Sequence, residues 1–390
     1  MKNPLSHWRS LAAWLMAAAL VAACGGVDSG GTGMTAETSS SGRITGFGSV
    51  IVNGVRFDDN QASVVDDDGT ARSRDDLRLG MVIDVQGLSE PHSGNGVARR
   101  IQFGNDIAGP VTAVDAANSR LTVLGQAVQV DPDTFFGGYA HGFADVLAGD
   151  LVEVFAFYDP TSGVYAATRI ERQTALAAFT LRGRISALGS TSFAIGAAVI
   201  DYSGIAPSAL PALSNGLSVR VSLQTAPVAG RWVATTVRTS QRNFPATGEA
   251  EVEGYVSGFA SPASFFVAGV PVDASGPAVS FRHGSLNQIA NGVRAEVEGE
   301  MRNGVLVASV VDLKQQGGGR QEFELHGAIT SVNAAARSFV LHGVTVFHDN
   351  STNFTSGSAA QLAAGTQVEV RGGPSADGAG VLATKIKFER

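Results

Sequence analysis

What most limits this chain's choice of fold is a module of about seventy residues that repeats after an N-terminal leader, since a fixed period decides architecture before any single motif does. Five anchors recur in the same order. The first is Gly-x-Ile/Val, at Gly42, Gly109, Gly183, Gly254 and Gly327. Next comes an alternating apolar run closing on a glycine: Val50-x-Val52 before Gly54, Leu121-x-Val123 before Gly125, Phe265-x-Val267 before Gly269, and Phe339-x-Leu341 before Gly343. The third copy is one residue shorter, with Phe193, Ile195 and Gly196. An apolar residue then stands three before a glycine, in the pairs Leu77-Gly80, Val146-Gly149, Leu213-Gly216, Ile289-Gly292 and Leu362-Gly365. Apolar residues follow that glycine at the third and fifth positions, as in Ile83 and Val85. Last comes Ala-x-x-Ile/Val, from Ala98-Ile101 to Ala383-Ile386.

Alternation at period two means strands with one buried face. The glycine after the second run, preceded by Asn53 in the first copy, predicts a tight hairpin turn that needs φ > 0. Leu-x-x-Gly is too short for a helix and predicts a single turn ended by a glycine. The expected fold is therefore all-β: a tandem array of five small five-stranded barrels resembling the OB-fold, with a small antiparallel sandwich as the alternative. The modules are placed at 42–104, 105–173, 179–242, 250–315 and 323–390. A single module of this size is marginal alone, so neighbours are expected to lean on one another. The glycine-rich link Gln315–Gln321 is the expected hinge, setting four modules apart from one.

Ahead of the repeats, Lys2 and Arg9 flank a polar start, and Leu11 to Ala23 is an apolar run too short to span a bilayer. Residues 1–23 read as a secretory signal peptide. Its end, Leu20-Val21-Ala22-Ala23-Cys24-Gly25, resembles a bacterial lipobox, in which the cysteine receives lipid and becomes the new N-terminus. Cys24 is the chain's only cysteine, so disulfides cannot staple the folded part. By the same resemblance, glycine rather than aspartate after the cysteine points to the outer membrane of a Gram-negative envelope. Residues 24–41, rich in Gly, Ser and Thr, read as a flexible tether.

Formal charge is −7, and about −9 once Lys2 and Arg9 leave with the leader. That balance argues against nucleic acid, whose binders carry basic faces. The expected partners are the membrane, through the lipid, and an envelope protein or glycan.

The opening Gly42-Arg43-Ile44-Thr45-Gly46-Phe47-Gly48-Ser49-Val50, the Val52-Asn53-Gly54-Val55 hairpin and the Leu77-Arg78-Leu79-Gly80-Met81 step resemble a bacterial family of tandem small β domains of unknown function, found in exported proteins and lipoproteins. The resemblance covers Gly42 to Arg390 and is sharpest in the first module. It implies architecture and export, and brings no activity with it.

No nucleophile elbow, His-Glu-x-x-His helix or phosphate-cradling loop occurs in the sequence. His326, His342 and His348 share the last module beside Asp349, but their positions suit solvated side chains, and neither a metal nor a cofactor is expected. Asp66-Asp67-Asp68-Gly69 lacks the alternating ligand spacing of a calcium loop and reads as a solvated acidic turn. Glu251 and Glu253 read as the ordinary outward face of a strand. Phe135-Phe136-Gly137-Gly138-Tyr139-Ala140-His141-Gly142-Phe143 is less ordinary, with four aromatics in one variable loop. Phe136, Tyr139 and His141 are the candidate ligand contacts, against the alternative that the rings fill a barrel end or a junction. Trp232 reads as core. Two functions follow: a non-catalytic envelope lipoprotein that binds or spaces, or an envelope enzyme of hydrolase type with an unrecognised site. The first is preferred, because no polar, unlike insertion breaks the repeat.

Overall fold

A computed structural model describes residues 36–89, 94–240, 244–314 and 321–389. Cys24 and the leader lie outside the described residues, as does most of the expected hinge. The described chain is β-strand joined by turns and five single-turn 3₁₀ helices. No described helix is long and apolar enough to cross a membrane.

The 36–103 stretch shows how one module closes. Its first strand, Ala36–Phe47, pairs antiparallel with Val82–Ser89 along its beginning and with Val50–Val52 near its end. Val50–Val52 turns back into Val55–Asp58, which runs parallel to Asn95–Phe103. Asn95–Phe103 pairs antiparallel with Val82–Ser89, and the circle is complete. That order is the closed OB-like barrel, which leaves no sheet edge within the ring. A short strand, Ser63–Asp66, lies parallel on Asn95–Phe103 outside the ring. It falls between the Asn53-Gly54 hairpin and the Leu77-Gly80 turn, where three or four residues carry too little alternation to announce a strand.

The same pairings close 107–173, 247–314 and 323–388. The 179–239 segment repeats them without the short strand, and a single bridge, Ser186 to Ala194, joins its first strand to its second.

The recurring glycines serve three different needs. Gly54 (φ 83°) follows Asn53 (φ 51°), giving the left-handed pair that a two-residue hairpin requires. Gly42 is there for space: a Cβ would sit 1.9 Å from Asn53 Oδ1, so the hairpin could not fold over the first strand. Gly87 marks a bulge in the pairing with Asn95–Phe103, where a Cβ would come 2.0 Å from the Val97 carbonyl oxygen.

Ile44, Val50, Val52, Phe57, Ile83, Val85 and Ile101, each at most 1 % exposed, fill the first barrel. Fully burying such a side chain is worth roughly 1.5–3 kcal/mol. The cores are shared between modules. Side chains of 36–103 and 323–388 make one continuous cluster, joined by Phe135 and Phe155 from 107–173. A second cluster unites 107–173 with 179–239, and a third fills 247–314.

Strand pairing also crosses between modules. Thr38–Ser41 runs parallel to Glu249–Val252, Gly46 and Phe47 pair with Glu324 and Leu325, and Ile107 and Ala108 pair with Leu181 and Thr180. Two expectations change as a result. The tether placed at 24–41 does not extend through residue 41: Ala36–Ser41 is strand, and Ser39, Ser40 and Ser41 are buried at 4 %, 2 % and 0 % exposure. The 323–388 barrel does not stand apart beyond a hinge, because its first strand and its core are continuous with those of 36–103.

Candidate functional site

The aromatic loop is built into the packing. Phe135, Phe136 and Tyr139 are 3 %, 5 % and 4 % exposed. Phe135 meets Phe323 edge-on at 4.8 Å, and Phe136 lies 6.3 Å from both Tyr139 and Phe143. The Phe136 N–H donates to the Gly378 carbonyl of the last barrel at 2.9 Å. The Tyr139 hydroxyl donates to Asp150 at 3.1 Å, with the Arg172 guanidinium 5.3 Å over its ring. Burial, with the Asp150 charge behind it, pushes the Tyr139 phenol far above its ordinary range. His141 alone is exposed, its ring nitrogen 3.1 Å from Asp145. The two rings serve a junction, and the three residues share no open platform.

Charged side chains collect where barrels meet. The Asp66–Asp68 turn is not simply solvated. Asp67 pairs with Arg182, and Asp68 holds Arg220 and Arg238 at 2.9 Å each, so the turn clamps 36–103 onto 179–239. Asp106 reaches Arg182 from a third side at 3.4 Å. Deeper in, Arg43 is 3 % exposed and lies 5.7 Å over the Phe323 ring. Its guanidinium reaches the Asp133 carbonyl and Gln321 at 3.5 and 3.4 Å.

Glu251 and Glu253 are far from ordinary outward positions. Glu249, Glu251 and Glu253 stand opposite Glu300, Glu298 and Glu296 on the neighbouring strand. Three rungs of facing carboxylates oppose folding unless something compensates them. Compensation is uneven along the ladder. Arg294 pairs with Glu253 at 2.7 Å, Lys314 with Glu296 at 3.0 Å, and Arg302 with Glu300 at 2.7 Å. Burial alone would raise the Glu253 carboxyl, but Arg294 and Arg43 hold it below the usual range. Burial, reinforced by Glu296 and Glu298, pushes Glu251 well above it. A groove of about 840 Å³ runs along this face, between the glutamates and the Asn53–Val55 turn of the first barrel.

A second cleft lies where 107–173, 179–239 and 247–314 meet. Its cavities, about 100 and about 300 Å³, share Arg184, Ser218, Ser240, Ser257, Ala268 and Gly269 in their walls. Tyr158 and Tyr255 line the first, and Phe266, 40 % exposed, lines the second.

The family described as Domain of unknown function (DUF5666) matches the chain over residues 41–102, 108–171, 253–312 and 326–387. The chain belongs to this family. No curated protein matches it. The 179–239 segment, where the short strand is missing and one bridge replaces a strand pairing, lies outside the four DUF5666 matches.

The three histidines of the last DUF5666 match do not converge. His342 is exposed, with its ring nitrogen 2.5 Å from the His326 carbonyl oxygen, and His348 packs edge-on against Phe354 at 5.6 Å. His326 instead joins Glu324 and Glu369, whose ligand atoms lie within 4.8 Å of one another. These three could hold a cation, but Arg56 and Arg371 already pair with Glu324, and Lys387 with Glu369. Sequence reading missed this group, the glutamate ladder and the three-barrel cleft alike. For the ladder a signal was present: Glu249-x-Glu251-x-Glu253 and Glu296-x-Glu298-x-Glu300 both alternate at period two.

Proposed function

We propose that this DUF5666 chain is a lipid-anchored lipoprotein of a Gram-negative outer membrane that binds or scaffolds without catalysing a reaction. The observation that carries the reading is Cys24, the chain's only cysteine, standing at the end of an apolar leader within Leu20-Val21-Ala22-Ala23-Cys24-Gly25. The barrels support the binding half. Their interiors are filled by apolar side chains, and many charged groups at their junctions neutralise one another, as Asp67 does with Arg182 and Glu253 with Arg294. Such a body holds its surfaces in a fixed relation, which suits recognition.

Fractionation of cells expressing the wild type and Cys24→Ala tests the anchor. Wild type should sediment with the outer membrane and take up radiolabelled palmitate. Cys24→Ala should do neither. Wild type that stays soluble with its leader attached defeats the proposal.

A further inference from the structure

We infer that the cleft where 107–173, 179–239 and 247–314 meet is a binding site for an acidic sugar, a hydroxylated ring carrying one carboxylate. This deepens the binding half of the proposal above and is independent of the anchor. The cleft combines three kinds of surface. Tyr158 and Tyr255 give it half-buried rings with phenol groups, and burial raises both phenols, so they stay neutral donors at ordinary pH. Ser218, Ser240 and Ser257 place hydroxyls around both cavities. The Ser240 hydroxyl oxygen is buried beneath the wall and has no hydrogen-bond partner among the described residues. Glycines supply the third surface. A Cβ at Gly216 or Gly269 would meet nothing within 4 Å, which leaves room for a ring to approach the backbone.

The charge decides which ring fits. Arg182 lines the cleft but is taken up by Asp67 and Asp106. Arg184 lines both cavities, is exposed, and has no carboxylate within ion-pair distance among the described residues. One open guanidinium matches one carboxylate, to which it can donate two parallel hydrogen bonds. A phosphate group, with about twice that charge, would call for a second cation. Aromatic faces beside hydroxyls accept a sugar ring, apolar on its face and polar at its edge.

The test is titration calorimetry of the full-length protein in detergent with D-glucuronic acid, D-glucose and benzoate. Glucuronic acid should bind with a millimolar or tighter dissociation constant, and the other two about tenfold more weakly or worse. Arg184→Ala should lower glucuronic acid binding to the glucose level. Glucose binding as tightly would show that the carboxylate is not read. Benzoate binding as tightly would show that the hydroxyls are not. Either outcome, no glucuronic acid binding at millimolar concentration, or binding unchanged in Arg184→Ala overturns the assignment. Membrane fractionation of Cys24→Ala is untouched by any of these results, so the two proposals fail separately.

Discussion

Replacing Glu251 by Gln should stabilise the protein at high pH and do nothing at low pH. Glu251 stands opposite Glu298, has Glu296 within hydrogen-bonding reach, and is covered on its other side by the Ser40 strand of the first barrel. Burial comes first and the two neighbouring carboxylates second in raising its carboxyl. A carboxyl held above its unfolded value binds its proton more tightly in the folded chain. Its contribution to stability is therefore complete below the unfolded value of about 4.3 and is lost as pH climbs toward the raised folded value. Glutamine keeps the shape of the protonated acid at every pH. Cross-strand charge pairs are worth about 0.2–1 kcal/mol and like charges act with the opposite sign; Glu251 has Glu298 directly opposite and Glu296 one rung over, so the gain at about pH 8 should be about 1 kcal/mol. A domain of 150–250 residues moves by about 2–4 °C per kcal/mol, and this larger body moves less, so the melting temperature should rise by about 1–3 °C. Scanning calorimetry at about pH 4 and about pH 8 compares stability below the unfolded value with stability well above it. One rung away the sign reverses. Arg294 and Arg43 hold Glu253 low, so Glu253→Gln should cost stability above the unfolded value, and the cost should fade as pH falls through the lowered one. A gain from Glu251→Gln that is equal at both pH values, or a loss at the higher one, would refute the reasoning.

Two further outcomes follow from packing. Gly87→Val should cost more than about 3 kcal/mol, because its Cβ would meet the Val97 carbonyl at 2.0 Å, whereas Gly54→Ala, with open space but φ 83°, should cost about 1 kcal/mol; urea denaturation separates the two, and equal losses would remove the bulge argument. Phe136→Ala should cost about 3–5 kcal/mol and lower the melting temperature, since the ring is 5 % exposed between Tyr139 and Phe143; a variant as stable as wild type would return that ring to the surface.

What the sequence determined by itself was each barrel's local frame. Alternation put Val50, Val52 and Ile83 inside, where they are at most 1 % exposed, because a strand with one buried face must alternate. The turn glycines were legible because left-handed backbone excludes most side chains, as Gly54 and Gly80 show at φ 83° and 85°. Gly87 and its counterparts Gly299 and Gly372 also recur at one spacing, seven after the turn glycine. The series is not five-fold: 107–173 carries Ala156 and 179–239 carries Leu223 in its place. Only the tertiary structure decided how the barrels meet. Thr38-Ser39-Ser40-Ser41 has the composition of a linker, yet it lies between two strands, its backbone paired on both sides. Backbone pairing reads no side chain, so no pattern announced it. The same holds for the candidate sites. Tyr158, Arg184 and Tyr255 come from three different barrels, and Glu251 reads as a surface glutamate until the first barrel covers it. Contacts at such sequence separations follow from how closed barrels pack their outer faces, and periodicity along one strand carries no information about which outer face another barrel will cover.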